Sequence, residues 1–161
     1  MTVVSNTSPI TSLAGIAQLE LLQQLYEEIV IPQAVYNEMA GIGKTVPGTI
    51  EVQTLPWIQP RPIKDLNLLG TLQSNLDSGE AAAIVLALEL KAELLIMDER
   101  PGRTIARQYG LAVIGILGVL LEAKDKGLIS VVKPLMDRLI DEVEFRVSRQ
   151  LYKTVLQRAG E

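Results

Sequence analysis

An apolar helical segment followed directly by a short apolar strand is the feature that most constrains the fold of this chain. Residues 76–90 (LDSGEAAAIVLALEL) predict a helix, and residues 92–100 (AELLIMDER) predict a strand that ends near Asp98. In a parallel sheet, the start of such a helix and the end of such a strand emerge on the same side. The pattern therefore predicts that Asp77 and Glu80, which open the helix, lie on the same side of the sheet as Asp98.

Strands and helices alternate along the rest of the sequence. Apolar strands are predicted at residues 3–5, 28–32 and 112–114, with weaker extended pieces at 50–52 and 57–58. The first helix is expected to start with Ser8 as its N-cap and Pro9 as its first residue. Further helices are expected at residues 19–25, 34–40, 66–76, 103–109, 115–126, 131–143 and 148–158. This alternation predicts one domain, residues 1–161, with a three-layer α/β/α fold around a short central parallel sheet.

The residue types that are missing limit the chemistry. The chain has no Cys and no His, which excludes disulfides, thiolate nucleophiles, a histidine base and the usual zinc ligands. Oxygen ligands remain, and they favour Mg²⁺ or Mn²⁺. No signal peptide and no apolar run of roughly 20 residues is present, so we expect a soluble cytoplasmic protein that does not enter a membrane.

Positive charge is concentrated in two places although the formal net charge is −4. Arginines recur at helical spacing directly after Asp98, and a second basic series lies near the C-terminus. Such patches can bind phosphates on an acidic protein, or they can be ordinary solvated helix faces. The two series are Arg100, Arg103 and Arg107, and Arg146, Arg149, Lys153 and Arg158.

Five polar residues are candidates for a site. Asn6 and Asp98 end predicted strands, where they could serve a site or merely begin a turn. Asp77 and Glu80 have the spacing of a capping box, which would explain Asp77 as an N-cap and leaves Glu80 open to another role. Glu38 is either a plain surface carboxylate or a fourth member of the pocket. Clustered carboxylates repel one another unless a cation is present, so convergence of these residues would indicate a divalent metal.

Five segments in order, which span residues 3 to about 129, form a recognisable set. They are VVSNTSPI, IPQAVYNEM, LDSGEAAAIVLA, LLIMDERPGR and GILGVLLEAKDKGLI. Together they resemble the PIN-domain family of metal-dependent ribonucleases, in particular its small prokaryotic members related to VapC-type toxins. No dinucleotide-binding, Walker or serine-hydrolase motif competes with this resemblance.

The resemblance implies a PIN-like fold that binds Mg²⁺ or Mn²⁺ and cleaves RNA, as the toxin of a type II toxin–antitoxin pair with a protein antitoxin as partner. It also implies a homodimer or higher oligomer, for which the helices around Leu13 to Leu25 are the candidate interface. By position, it makes Asn6, Glu38, Glu80 and Asp98 the catalytic set, the three acids among them being the metal ligands. It makes Ser8 and Arg103 substrate contacts, with Asp77 and Glu99 as auxiliary acids.

Two positions depart from the family pattern. Asn6 stands where most PIN nucleases have their first Asp, and Ile116 stands where related sequences often have Thr. Because an amide carries no charge, the site is one carboxylate short. Two functions therefore remain open: a ribonuclease with weakened activity, and a non-catalytic PIN-like protein that binds RNA or a partner protein. A magnesium-dependent phosphatase is a third interpretation, but the first strand lacks the acidic residues that it would require.

Overall fold

Five parallel strands form the centre of the molecule, between two layers of helices. The computed structural model describes residues 1–41 and 46–161. The strands are short and largely buried, as expected when helices cover both faces of a sheet. They are β1 (Val3–Ser5), β2 (Ile29–Pro32), β3 (Ile58–Arg61), β4 (Leu94–Ile96) and β5 (Val113–Ile114). Their order in the sheet is β3-β2-β1-β4-β5, and every pair is parallel. The predicted α/β/α fold is confirmed.

Ten helices lie in the described part of the chain. No helix among these residues has the length and apolar character that crossing a bilayer requires. The first five are α1 (Thr7–Gly15), α2 (Glu20–Tyr26), α3 (Gln33–Ala40), α4 (Thr49–Thr54) and α5 (Leu66–Gln73). The others are α6 (Ser78–Glu89), α7 (Arg100–Gln108), α8 (Ile116–Asp125), α9 (Lys133–Glu142) and α10 (Arg149–Arg158).

Two local predictions were wrong. The first helix begins at Thr7 with Asn6 as its N-cap residue, rather than with Ser8 as N-cap. Pro9 permits this earlier start. Proline has no backbone N–H, but the N–H groups of the first helical turn have no partner within the helix, so no hydrogen bond is lost. Residues 50–52, predicted as extended, belong to α4, where Val52 is buried. Tertiary packing of this apolar side chain overrides the local β preference.

The strand order places the start and the middle of the sequence side by side. The chain runs from β1 outward through β2 to β3, and then crosses to the other side of β1 to form β4 and β5. Ser5 pairs with Ile96 in the β1–β4 register. The boundary between these strands is thus a topological switch point, and ligands bind open parallel sheets beyond the carboxyl ends of the strands at such points. Asn6 and Asp98 follow these two ends.

Alternate residues of the central strands fill two separate cores, one on each face of the sheet. Val3 and Ile96 belong to the core that contains α1, α2, α8 and α9, whereas Val4 and Leu95 face the core of α5 and α6. The leucines of the helices around Leu13 to Leu25, the candidate oligomer interface, lie in the first core. They are 0 to 9% exposed and stabilise the subunit: Leu13, Leu19, Leu21, Leu22 and Leu25.

Candidate active site

Asn6 lies at the end of the central strand with its side chain directed into the protein. The residue is 4% exposed, and its side-chain oxygen Oδ1 has no hydrogen-bond donor among the described residues. Although Asn6 is the N-cap residue of α1, its side chain makes no capping bond. An amide oxygen that is buried and unpaired costs stability, which a cation or another ligand can offset.

Asp98, beyond the end of β4, uses one carboxylate oxygen for structure and leaves the other unpaired. Its Oδ1 accepts a hydrogen bond of 2.9 Å from the backbone N–H of Ile116, the first residue of α8, whereas Oδ2 is buried without a partner. Burial raises the pKa of Asp98 to about 6, although the Ile116 hydrogen bond opposes the shift; the charge of Glu99 raises the pKa further and Arg103 lowers it. The N-terminus of α8 therefore fixes the orientation of this carboxylate.

The start of α6 separates the roles of Asp77 and Glu80. Asp77 is the N-cap, and its Oδ1 accepts from the backbone N–H of Glu80 at 2.8 Å, as predicted. Glu80 is 8% exposed, and its Oε2 is buried without a partner, close to Gly102 of α7. A Cβ added at Gly102 would lie 2.8 Å from this oxygen. The absence of a side chain at residue 102 therefore lets α7 approach the Glu80 carboxylate.

The electrostatic environment of Glu80 is unfavourable to its charge. Burial is the largest cause, and the neighbouring carboxylates of Asp77 and Glu99 add to it, so that the pKa of Glu80 rises from 4.5 to about 8. A group in this environment holds its proton at neutral pH unless a positive charge is nearby. Raised carboxyl pKa values of this kind are typical of functional sites.

Glu38 lies at the exposed rim of the site rather than inside it. Its Oε2 accepts a hydrogen bond of 3.2 Å from the hydroxyl of Thr7 at the start of α1. A Cβ built on Gly79 would be 3.4 Å from Glu38 Oε2 and 3.6 Å from Asp77 Oδ1. These are ordinary van der Waals distances, and they show that α3 lies against the N-terminus of α6 at Gly79.

The predicted substrate contacts are held by hydrogen bonds within the site. The Ser8 hydroxyl donates to Glu99 Oε1 at 3.0 Å, and Arg103 Nη1 donates to the Met97 carbonyl at 3.1 Å. Burial, followed by the charge of Arg107, lowers the pKa of Arg103. Both side chains therefore lie at the β1–β4 end of the sheet, next to the acids.

Three unpaired oxygens at this edge form the chemical core of the site. In the described residues, no three Asp or Glu side chains come together in a ready-made metal cluster. The buried side-chain oxygens that lack donors are nevertheless Asn6 Oδ1, Glu80 Oε2 and Asp98 Oδ2. A hard divalent cation prefers such oxygen ligands, so the donor set fits Mg²⁺ or Mn²⁺ with two acids and one amide.

Comparison with known families identifies the family of this chain. A family model described as a PIN domain matches residues 2–161. The chain belongs to the PIN-domain family. PIN domains have a nuclease-type fold and commonly bind RNA. No curated protein matches the chain at a significant level.

The PIN-domain site also depends on contacts that the sequence did not reveal. The Thr7 hydroxyl and the Ile116 N–H hold Glu38 and Asp98, respectively. Gly115 is equally important, since a Cβ there would lie 2.6 Å from Arg103 Nη1 and 2.7 Å from Asp98 Oδ1. Glycine directly after β5 and before α8 was the only local signal of this close approach.

Proposed function

We propose that this PIN-domain protein is a metal-dependent endoribonuclease. The observation that supports it most is the set of three unpaired buried oxygens, on Asn6, Glu80 and Asp98, at the switch point of the sheet. Removing oxygen atoms from water without hydrogen-bond donors is unfavourable, and it is commonly tolerated where a ligand completes the site. Membership of the PIN-domain family makes RNA the favoured substrate.

The roles of the residues follow from their positions. Glu80 and Asp98 would hold the cation from the buried side and Glu38 from the rim, with the Asn6 amide as a neutral ligand. Bound Mg²⁺ or Mn²⁺ would supply a positive charge against the RNA phosphate and activate water. The Ile116 N–H fixes the direction of the Asp98 carboxylate. Ser8 and Arg103 would contact the RNA backbone, and Asp77 and Glu99 would tune the charge of the site.

The test is cleavage of single-stranded RNA by the purified protein with Mn²⁺ and with EDTA. We expect cleavage with Mn²⁺ alone, and a loss of roughly 100-fold or more for Asp98→Ala, as when a transition-state electrostatic contact is removed. Asp141→Ala is the matched control, since Asp141 is exposed on α9 and makes no hydrogen bond or ion pair with the described residues. Absence of Mn²⁺-dependent cleavage, or equal cleavage by Asp98→Ala, contradicts the proposal.

The biological role that we propose is that of a toxin in a type II toxin–antitoxin pair. This proposal rests on the likeness to VapC-type proteins given above. Induction of the gene in cells should then arrest growth, whereas induction of Asp98→Ala should not. Growth arrest by both forms would contradict a toxin role that acts through cleavage.

We also propose that the protein forms a homodimer. Its composition is 48% hydrophobic, and large apolar side chains remain on the surface, of which Ile50 and Leu66 are each 68% exposed. Burial of such side chains between two subunits would be favourable. Sedimentation should detect a dimer at micromolar concentration, and a monomer at that concentration contradicts this proposal.

The second candidate function is binding of RNA or a partner protein without cleavage, and Asn6 is the observation that favours it. With an amide in place of a carboxylate, the site attracts a cation less strongly. Asn6→Asp distinguishes the two functions. A large gain in Mn²⁺ affinity and cleavage indicates a weakened nuclease, whereas unchanged cation binding and no cleavage favour a binding protein.

A further inference from the structure

A cleft of about 850 Å³ extends from Asp98 along one side of the molecule. Its lining comes from α7, α8 and α10 and from the segment before α10, which includes Phe145 and Arg146. Because Asp98 and Gly115 line one part of the cleft, it is continuous with the candidate active site.

Five arginines line this cleft. Arg100, Arg103 and Arg107 are three and four positions apart and therefore share one face of α7. Arg146 and Arg158 also line the cleft. In residues 1–41 and 46–161 none of the five forms an ion pair, although Lys124, Lys126, Lys133 and Arg138 all do. Three acids, Asp98, Glu122 and Asp125, share the lining, so the cleft carries a net positive charge in a chain whose net charge is −4.

The arrangement on α7 opposes helix stability. Arg100 is the first residue of α7 and Arg103 lies in the same turn, at the end where the helix dipole disfavours positive charge. Arg103 and Arg107 also repel each other: burial is the main reason why the pKa of Arg103 is lowered, and the charge of Arg107 lowers it further. An anion that binds along this face relieves both effects, and this favours a binding role over a solvated surface.

The structure also divides the basic series at the C-terminus into two pairs. Arg146 and Arg158 line the cleft. Arg149 and Lys153 are exposed on α10, which also carries Arg158, but they are not part of the lining. One pair therefore lines the active-site cleft and the other does not, which provides a charge-matched comparison within one segment of the chain.

The size and the apolar surface of the cleft indicate what kind of anion it accepts. Its volume is within the range of roughly 300–1,000 Å³ that is typical of pockets for small ligands, so it accommodates a single strand of a few nucleotides rather than a double helix. Leu151, which is 44% exposed, and Phe145 offer apolar surface between the arginines. Single-stranded nucleic acids bind grooves that combine a basic track with such surface.

We propose that the cleft between α7 and α10 binds the phosphodiester backbone of single-stranded RNA and leads it to Asp98. This inference rests on the proposed ribonuclease function, since it concerns the substrate of the same site. Arg107, Arg146 and Arg158 are the residues that the proposal adds to the RNA contacts.

The experiment compares two double variants that each remove two positive charges from the same segment. Arg146→Gln with Arg158→Gln changes the cleft, and Arg149→Gln with Lys153→Gln changes the solvent face. Binding of a short fluorescent single-stranded RNA is measured in EDTA over a range of salt concentrations, with circular dichroism melting to verify the fold. We expect at least tenfold weaker binding for the cleft variant at low salt. The slope of log affinity against log salt should also be shallower by about 1.4, because each phosphate contact with a single strand contributes about 0.7 to this slope. The solvent-face variant should bind like the wild type.

Three results overturn the inference. One is equal loss of binding in both variants, which indicates general attraction of RNA to positive charge. Another is tighter binding of duplex RNA than of single-stranded RNA. The third is unchanged RNA binding in the cleft variant together with lost binding of an acidic leucine-rich peptide, which assigns the cleft to a partner protein.

Binding in EDTA does not depend on catalysis, so the two proposals can fail separately. If the cleft variant loses RNA binding but the wild type does not cleave RNA with Mn²⁺, the cleft proposal stands and the nuclease proposal fails. If the wild type cleaves RNA and both variants bind it equally, the nuclease proposal stands and the cleft proposal fails.

Discussion

Two carboxylate regions of this protein differ in their hydrogen bonding and in the direction in which their pKa values are shifted. Glu161 accepts hydrogen bonds from the backbone N–H groups of Val132 and Lys133, at 2.7 and 3.0 Å, and from Lys124 Nζ at 3.0 Å. These donors, the Val132 N–H first among them, hold the pKa of Glu161 below its usual value. At the β1–β4 edge, by contrast, the pKa values of Glu80 and Asp98 are raised, and each keeps one oxygen without a donor.

The contrast shows where the fold uses charge for stability and where it does not. At Glu161, a helix N-terminus and an ammonium group satisfy a carboxylate, which ties α9 to the residues after α10. At Asp98, the N-terminus of α8 satisfies only one carboxylate oxygen, and Glu80 Oε2 has no donor among the described residues. A cation that binds these oxygens would regain the free energy that their burial costs. Three variants test this difference.

Gly115→Ala should have the largest effect on the site. The new methyl group would displace the ends of Arg103 and Asp98 from their hydrogen bonds to Met97 and Ile116. We expect at least tenfold slower Mn²⁺-dependent cleavage and a loss of about 1 kcal/mol in the free energy of unfolding, the typical value of one hydrogen bond. Urea denaturation and RNA cleavage measure the two effects.

Gly70→Ala is the control for this glycine. A Cβ at Gly70, in α5, has no atom within 4 Å, and alanine is the better helix former by roughly 0.5–1 kcal/mol. This variant should be more stable and should cleave at the wild-type rate. Wild-type cleavage by Gly115→Ala would show that Asp98 does not need its present orientation.

Glu80→Gln should remove a pH-dependent destabilisation of the fold. Because the pKa of Glu80 rises from 4.5 to about 8 on folding, the folded state keeps a proton that the unfolded state loses. The wild type should therefore lose stability relative to Glu80→Gln as the pH rises from 4.5 to 8. Near pH 8 we expect the free energies of unfolding of the wild type and Glu80→Gln to differ by about 1 kcal/mol. This value allows for solvent screening near the helix terminus.

Thermal unfolding in EDTA at several pH values measures the effect of Glu80. The two curves should converge at the acidic end of this range and separate towards pH 8. Parallel curves over the whole range would mean that burial does not penalise the Glu80 charge.

Glu161→Ala should have the smallest effect, and in the opposite direction. The lowered pKa of Glu161 means that its contribution to stability is present above its ordinary pKa and is lost as the pH falls through the folded value. The variant should melt a few degrees below the wild type at neutral pH, and the gap should narrow in acid. RNA cleavage should be unchanged, and a change in cleavage would break the separation between the two carboxylate regions.

The sequence predicted the fold well where local signals and packing agree. β1 was predicted with its observed bounds, and Asp77 was predicted as the N-cap that opens α6. Residues 50–52 were predicted wrongly because a short segment with β-branched apolar residues is compatible both with a strand and with one face of a short helix. Only the contact of Val52 with the core decides between them.

The site could be predicted only in part. The ends of parallel strands meet at one edge, so the placement of Asn6 next to the Asp98 segment followed from topology alone. The bond from Ile116 to Asp98 joins residues 18 positions apart, and that from Thr7 to Glu38 joins residues 31 apart. Such contacts depend on how helices pack at the edge, which no local pattern encodes. The metal-binding and catalytic roles of these residues remain predictions.

The central position of β1 in the sheet affects the order in which the protein can fold during its synthesis. β1 is synthesised first but is flanked by β4, and the Ser8–Glu99 hydrogen bond across this junction spans 91 residues. Pairing over such a separation is slow because the chain must close a long loop before any contact forms. A nascent chain therefore holds Asn6 without Asp98 until β4, and then α8 with its Ile116 N–H, have left the ribosome. The residues of the candidate site thus come together only late in synthesis.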